Sequence, residues 1–263
     1  MLRLSDDRVI APDVSTRREI ARLIYRSLGG AGLMAFNCAD THMHLEVAGS
    51  RQAIGERIRR LEIALSLRLS LPVPFSPARF KPIVDQRHLD AAFRYILDQS
   101  RHHELDGDPF FDGSSILELL GLRTIDSRPL ATVRALLPRV KRAELLELAG
   151  SPQLDQSHPP LDALASATAA AAGLARITGS QPAEVNARCA AIAVAQQEAT
   201  NATIASLLGV SPRTIQRNRS RLLDSALVAA IRRQLSWRAS HRVSIEPAPF
   251  ILTHPRPRQK SDR

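Results

Sequence analysis

Eight residues, Asp40-Thr41-His42-Met43-His44-Leu45-Glu46-Val47, alternate polar with apolar and follow an apolar run, Leu33-Met34-Ala35-Phe36. A period of two is the signature of a strand with one face in a core, and a helix cannot satisfy it. The spacing predicts a hairpin of strands over residues 31–38 and 41–48. Residues two apart on a strand share a face, so Met43 and Leu45 turn inward while His42 and His44 stand together on the other side. At that point two readings stay open, a pair of surface histidines or half of a divalent-metal site.

The neighbouring stretches build a sheet around this hairpin. Arg8-Val9-Ile10-Ala11 reads as a short strand ended by Pro12, and Thr16-x-x-Glu19 reads as a capping box. The helix it opens carries Ile20, Leu23, Ile24 and Leu28 on one stripe and stops at Gly29-Gly30. A second helix, over 51–69, turns Ile54, Ile58, Leu61, Ile63, Ala64 and Leu67 inward and Arg51, Arg57, Arg59 and Arg60 outward. A strand near 78–84 then precedes a helix whose Leu89, Ala92, Phe93, Ile96 and Leu97 recur at helical spacing. On that helix Tyr95 and Gln99 lie four apart, on one face away from the apolar stripe. This order predicts an α+β fold, a ferredoxin-like split βαβ antiparallel sheet with helices on one face.

His42-Met43-His44, followed by a helix with Tyr95 and Gln99, resembles the single-tyrosine HUH transposases, and within them the REP-associated tyrosine transposases. The stretch from Asp108-Pro109-Phe110 through Ser114-Ser115 to Gly121 is similar to that family's acidic-Pro-aromatic turn, Ser-Ser pair and short helix. The likeness covers roughly the first 125 residues. It departs from the family where Asp40-Thr41 replaces the usual Pro-Asn and Gln99-Ser100 the usual Asn-Pro. The resemblance implies Tyr95 as nucleophile and His42, His44 and Gln99 as ligands of Mg²⁺ or Mn²⁺. It further implies cleavage and rejoining of single-stranded DNA at hairpins or repeats through a 5′-phosphotyrosine, by a homodimer in which one chain's tyrosine can work with the other chain's histidines. His102 and His103 read as loop residues, Tyr25 as a packing residue, and Cys38 as a buried thiol.

Charge points the same way but to a different part of the chain. Of the formal net charge of +10, residues 211–263 hold twelve Lys and Arg against three Asp and Glu, a surplus of nine. Phosphate neutralisation by such a segment supplies sequence-independent affinity for nucleic acid. The surplus begins in a recognisable unit. Ile204, Ala205 and Leu208 form a short apolar face, Gly209 supplies a turn, and Ser211-Pro212 caps a second helix. That helix turns Ile215 and Leu222-Leu223 inward and offers Arg213, Gln216, Arg217, Asn218, Arg219 and Arg221 outward. The pattern looks like a helix-turn-helix, whose second helix enters the major groove. Arg51, Arg57 and Arg60 are further candidates for DNA contact, though a solvated helix face is the other reading.

The expected organisation is a nuclease-like domain over 1–125, a connector over 126–160, and a helical DNA-binding domain over 161–236, opened by an alanine-rich helix from 161 to 177. A basic, disordered tail is expected over 237–263. No apolar run is long enough to span a bilayer, and the first residues lack a signal-peptide core, so a cytoplasmic, nucleoid-associated protein is expected. Two other function classes fit part of the pattern: a catalytically silent, domesticated transposase acting as a helix-turn-helix regulator, and a replication or mobilisation initiator. With aromatic residues at 4 %, base-stacking RNA recognition fits least.

Overall fold

A computed structural model describes residues 1–39, 41–99, 108, 110–150, 159–219 and 223–242. Among these residues the chain is mixed α and β, with eleven α-helices around one three-stranded antiparallel sheet. The strands are β1 (Leu2–Arg3), β2 (Leu33–Ala39) and β3 (His42–Val47), with β3 in the middle. Helix α1 (Val14–Leu28) connects β1 to β2. The expected hairpin forms in register, Phe36 opposite Leu45 and Cys38 opposite Met43, with a register shift between Leu33 and Ala35.

Three expectations for the sheet are corrected. The first strand lies at Leu2–Arg3 rather than at 8–11, because Asp7 takes a left-handed turn (φ 55°) that ends the extended run. Helix α1 starts at Val14, two residues before Thr16, with Asp13 as its cap accepting from the Thr16 N–H at 2.9 Å. The fourth strand does not form over 78–84. Instead residues 74–79 run beside the N-terminus as an irregular edge: Ser5 N–H donates to Pro74 O, Ser76 N–H to Arg3 O and Arg79 N–H to Met1 O. Pro74 and Pro77 have no N–H to donate, which breaks a regular ladder here. The other edge is covered too. Cys38 N–H donates to Gly113 O, Ser115 N–H donates to Phe36 O, and the Ser115 hydroxyl accepts from Phe36 N–H at 2.9 Å.

Helices cover both faces of the sheet, not one. On one side Leu33, Phe36, Cys38 and Met43 pack with Ile20, Ile24 and Tyr25 of α1 and Ile58, Leu61 and Leu65 of α2 (Arg51–Leu69). On the other, Met34 and Ala35 pack with Phe93, Ile96 and Leu97 of α3 (Gln86–Leu97). That second core takes in Val133 of α5 (Arg128–Leu136), Leu145 and Leu146 of α6 (Arg142–Leu148), and Trp237. Every residue of β2 is therefore buried, as a strand covered on two faces must be. The stretch expected as a connector thus carries α5 packed on β2 and α6 in the same core, α4 (Ile116–Leu119) preceding them. On α2, Ile63 and Leu67, expected inward, are exposed.

A buried polar knot ties these layers together. Arg123, without exposed side-chain surface, pairs with Glu118 and donates to the Asp112 carbonyl at 2.6 Å and the Ser114 carbonyl at 2.7 Å. Arg18 reaches the Asp112 carboxylate at 2.9 Å.

The C-terminal helices form a third core. The alanine-rich helix is shorter than expected, α7 (Leu164–Ala172), ended by Gly173 at φ 60°. Then come α8 (Pro182–Ala195), α9 (Asn201–Leu208), α10 (Pro212–Asn218) and α11 (Ser225–Arg242). Ile204, Ala205, Leu208 and Ile215 are buried as the pattern predicts. Leu223, expected inward, is 46 % exposed, and Asn218, expected outward, is buried. Residues 237–242, assigned to a disordered tail, are the last turns of α11, and Trp237 is 1 % exposed in the sheet's second core. Burying an indole outweighs the arginines beside it in sequence. The rest of the expected tail, 243–263, lies outside the described residues.

Candidate functional site

Strand β3 sets the site. His42, His44 and Glu46 occupy its face toward α3, while Met43 and Leu45 go to the opposite core. The His42 and His44 rings meet edge to face with centroids 4.7 Å apart. Tyr95 on α3 stands edge to face with His44 at 5.6 Å, and is 45 % exposed. The folded chain thus brings the histidine pair and the half-exposed phenol together, although about fifty residues separate them.

Gln99 behaves differently. The spacing places it on the polar face with Tyr95, but α3 ends at Leu97 and the Gln99 side chain is fully buried. Its amide nitrogen donates to the Tyr95 carbonyl at 2.8 Å. Its Oε1 is buried and accepts no hydrogen bond among the described residues. An orphaned buried acceptor is suited to a cation by its chemistry, and two imidazoles with an amide oxygen are acceptable donors for Mn²⁺ or, less well, Mg²⁺. Among the described residues no cluster of three or more His, Cys, Asp or Glu side chains is disposed to hold a metal, so a site here depends on the amide. Cys38 is no substitute: burial pushes its thiol up to about 12, and metals bind the thiolate. His102 and His103 lie outside the described residues.

Glu46 was not singled out by the sequence reading. It is 5 % exposed, neither carboxyl oxygen has a hydrogen-bond partner among the described residues, and burial, with the Asp90 carboxylate second, pushes it up to about 8. Its signal was available, since it continues the alternation that placed His42 and His44 on one face. The carboxyl lines a cavity of 630 Å³ at the outer edge of β3, with His44 and Tyr95 on one side and Phe80 and Lys81 on another. The cavity exists because β1 pairs only with His42 and Met43, leaving the edge from His44 onward without a strand beside it. A second hollow of 420 Å³, sharing Glu46, Phe80 and Lys81, extends to Arg51 at the start of α2.

The remaining DNA-contact candidates that are described lie on the surface. Arg51, Arg57 and Arg60 are exposed along α2, Arg57 donating to the Ser27 carbonyl at 3.4 Å. Arg213, Gln216, Arg217 and Arg219 are exposed on or just after α10, while Arg221 lies outside the described residues. The turn before α10 is tight: Gly209 takes φ 64°, and the Ser211 hydroxyl accepts from Thr214 N–H at 3.2 Å.

Compared with protein-family models, curated proteins and solved structures, the chain matches none of them. The functional reading therefore stands on its own side chains. No helix among the described residues is long and apolar enough to cross a membrane.

Proposed function

We propose that this chain is an HUH-type tyrosine nuclease and strand transferase, cutting and rejoining single-stranded DNA at hairpins or repeats through a 5′-phosphotyrosine. The observation that carries the reading is the contact of Tyr95 with the His42–His44 pair inside one chain. A buried structural tyrosine would be packed away as Tyr25 is, at 2 % exposure, whereas Tyr95 is 45 % exposed and lines a cavity of 630 Å³.

In this reading Tyr95 Oη attacks the scissile phosphorus, the P–O3′ bond breaks, and the products are a phosphotyrosyl 5′ end and a free 3′ hydroxyl. The phosphotyrosine keeps the energy of the broken ester, so the 3′ hydroxyl of the same or another strand can reverse the step. His42, His44 and Gln99 would hold a divalent cation, which when bound would supply charge neutralisation at the phosphate. The ring of His44, perpendicular to the phenol, orients it, and the Gln99 amide on the Tyr95 carbonyl fixes the end of α3. The split-sheet order, with β3 between β1 and β2 and residues 74–79 where a fourth strand would lie, supports a ferredoxin-like ancestry. Helices α9 and α10 serve as a helix-turn-helix that docks the protein on duplex flanks through Arg213, Gln216, Arg217 and Arg219. The proposed assembly is a homodimer, each Tyr95 served by its own His44.

The test is a denaturing gel of the protein with Mn²⁺ and labelled hairpin oligonucleotides from repeats flanking its gene. A covalent band that vanishes with chelator and in Tyr95→Phe supports the nuclease. Salt-sensitive binding with no band in any of these would favour the silent regulator working through α10.

A further inference from the structure

We infer that Arg142 and Arg233 form a clamp for a backbone phosphate of single-stranded DNA, at the seam between the sheet half of the chain and its C-terminal helices. The inference takes its partner from the proposed function, not the cutting step, and lies outside the Tyr95 site. Arg142, the first residue of α6, donates to the Leu120 carbonyl at 3.0 Å, and Arg233 of α11 donates to the next carbonyl, that of Gly121, at 3.2 Å. Two guanidiniums are thus held over consecutive carbonyls by elements from different halves. Gly121 takes φ 69°, and a Cβ there would stand 2.8 Å from the Arg233 guanidinium, so the close approach needs a glycine.

Neither guanidinium has a carboxylate partner among the described residues. Arg142 feels its neighbour: its pKa is lowered, by burial first and by the Arg233 charge second. Carbonyl dipoles position the two cations without neutralising them, and an anion lodged between them would do so. A guanidinium fork suits the two free oxygens of a phosphodiester. The surrounding charge makes that anion part of a chain rather than a single ion. Arg134, Arg139 and Lys141 are exposed on the stretch leading to Arg142, which holds no Asp or Glu from 127 to 143. Arg232 is exposed beside Arg233 on a helix without an acidic residue. A row of cations matches a row of phosphates. The row also adjoins α3, because Arg94, the residue before Tyr95, pairs with Glu144 of α6 at 2.9 Å. A single strand leaving Tyr95 over α6 meets the clamp.

Fluorescence anisotropy of a labelled oligo-dT strand over a salt series, with the Tyr95→Phe protein in chelator, tests this without depending on cleavage. Arg142→Gln combined with Arg233→Gln should flatten the dependence of log affinity on log salt by about 0.7 or more, the slope of one single-strand phosphate contact. Arg142→Lys combined with Arg233→Lys keeps both charges and should leave the slope as it is in the parent. Ala229→Glu sets a carboxylate one helical turn before Arg233, within reach of its guanidinium, and should flatten the slope with both arginines in place. It gives the answer if the glutamine pair does not fold. An unchanged slope in the folded glutamine pair or in Ala229→Glu would overturn the clamp, even if the wild type forms the covalent band. Equal flattening by the lysine and glutamine pairs would assign the arginines to holding the carbonyls alone, and would overturn it too. A slope that flattens as expected, with no covalent band from the wild type, would leave the clamp standing and sink the nuclease instead.

Discussion

Glu46→Gln should stabilise the protein, and by an amount that depends on pH. The carboxyl has an ordinary value of 4.5 and is pushed up to about 8 in the folded chain, burial being the main cause and Asp90 the second. Below pH 4.5 folded and unfolded chains both hold the proton, and the residue is neutral to stability. Between 4.5 and 8 the folded chain keeps a proton that the unfolded chain releases, so stability falls as pH rises, by at most ~1.4 kcal/mol per pH unit. Across the whole interval the ceiling is about 5 kcal/mol, and above pH 8 it is lost in full. Glutamine fills the same space and never ionises. Thermal melts in chelator should therefore nearly coincide for wild type and Glu46→Gln at pH 5, and separate by roughly 10 °C at pH 8.5 with the variant higher. A pH-independent gap, or a variant less stable than wild type at pH 8.5, would show that the carboxyl is solvated or held by a partner, and would refute the argument.

Other parts of the fold give independent tests. Arg123→Leu leaves Glu118 as an uncompensated buried charge and removes the donor to two carbonyls; urea unfolding should show a loss of about 3–5 kcal/mol. Trp237→Ala should cost about 3–5 kcal/mol by the same assay, because the indole fills a core that cannot collapse around it, whereas a disordered tail residue would cost nothing. Arg213→Ala and Arg217→Ala should each flatten the dependence of log affinity on log salt by about 0.9 on duplex DNA. An unchanged slope would remove α10 from the DNA interface.

Local pattern in the sequence carried the hairpin, the amphipathic helices and the histidine pair, because strand and helix periods are written in nearest neighbours. Helix α2 and the helix of Tyr95 lie where their apolar stripes put them. What the pattern could not carry was tertiary. Residues 74–79 replace a strand because prolines deny it donors, and their pairing with the N-terminus is a matter of long-range hydrogen bonds. Helices α5 and α6 cover the second face of the sheet, which a short-range reading of Met34 and Ala35 does not reveal. The burial of Gln99 and Glu46, both polar, follows from where α3 ends and where β1 stops pairing, not from their residue type. Trp237 sits in sequence among Arg232, Arg233 and Arg238, the pattern of a basic tail, while in space it joins the apolar core of Met34, Phe93 and Leu97.

The same tryptophan helix bears on how such a chain can change over generations. Gln234 donates to the Leu122 carbonyl and Arg233 to that of Gly121, while Arg18 and Arg22 of α1 reach back to the carbonyls of Leu174 and Ala172. Each half supplies groups that complete the other. Removing the C-terminal half would take Trp237 out of the core that holds Met34 and Ala35 and leave the carbonyls of Gly121 and Leu122 without these donors. A change on one side of this seam therefore alters the packing and hydrogen bonding of the other.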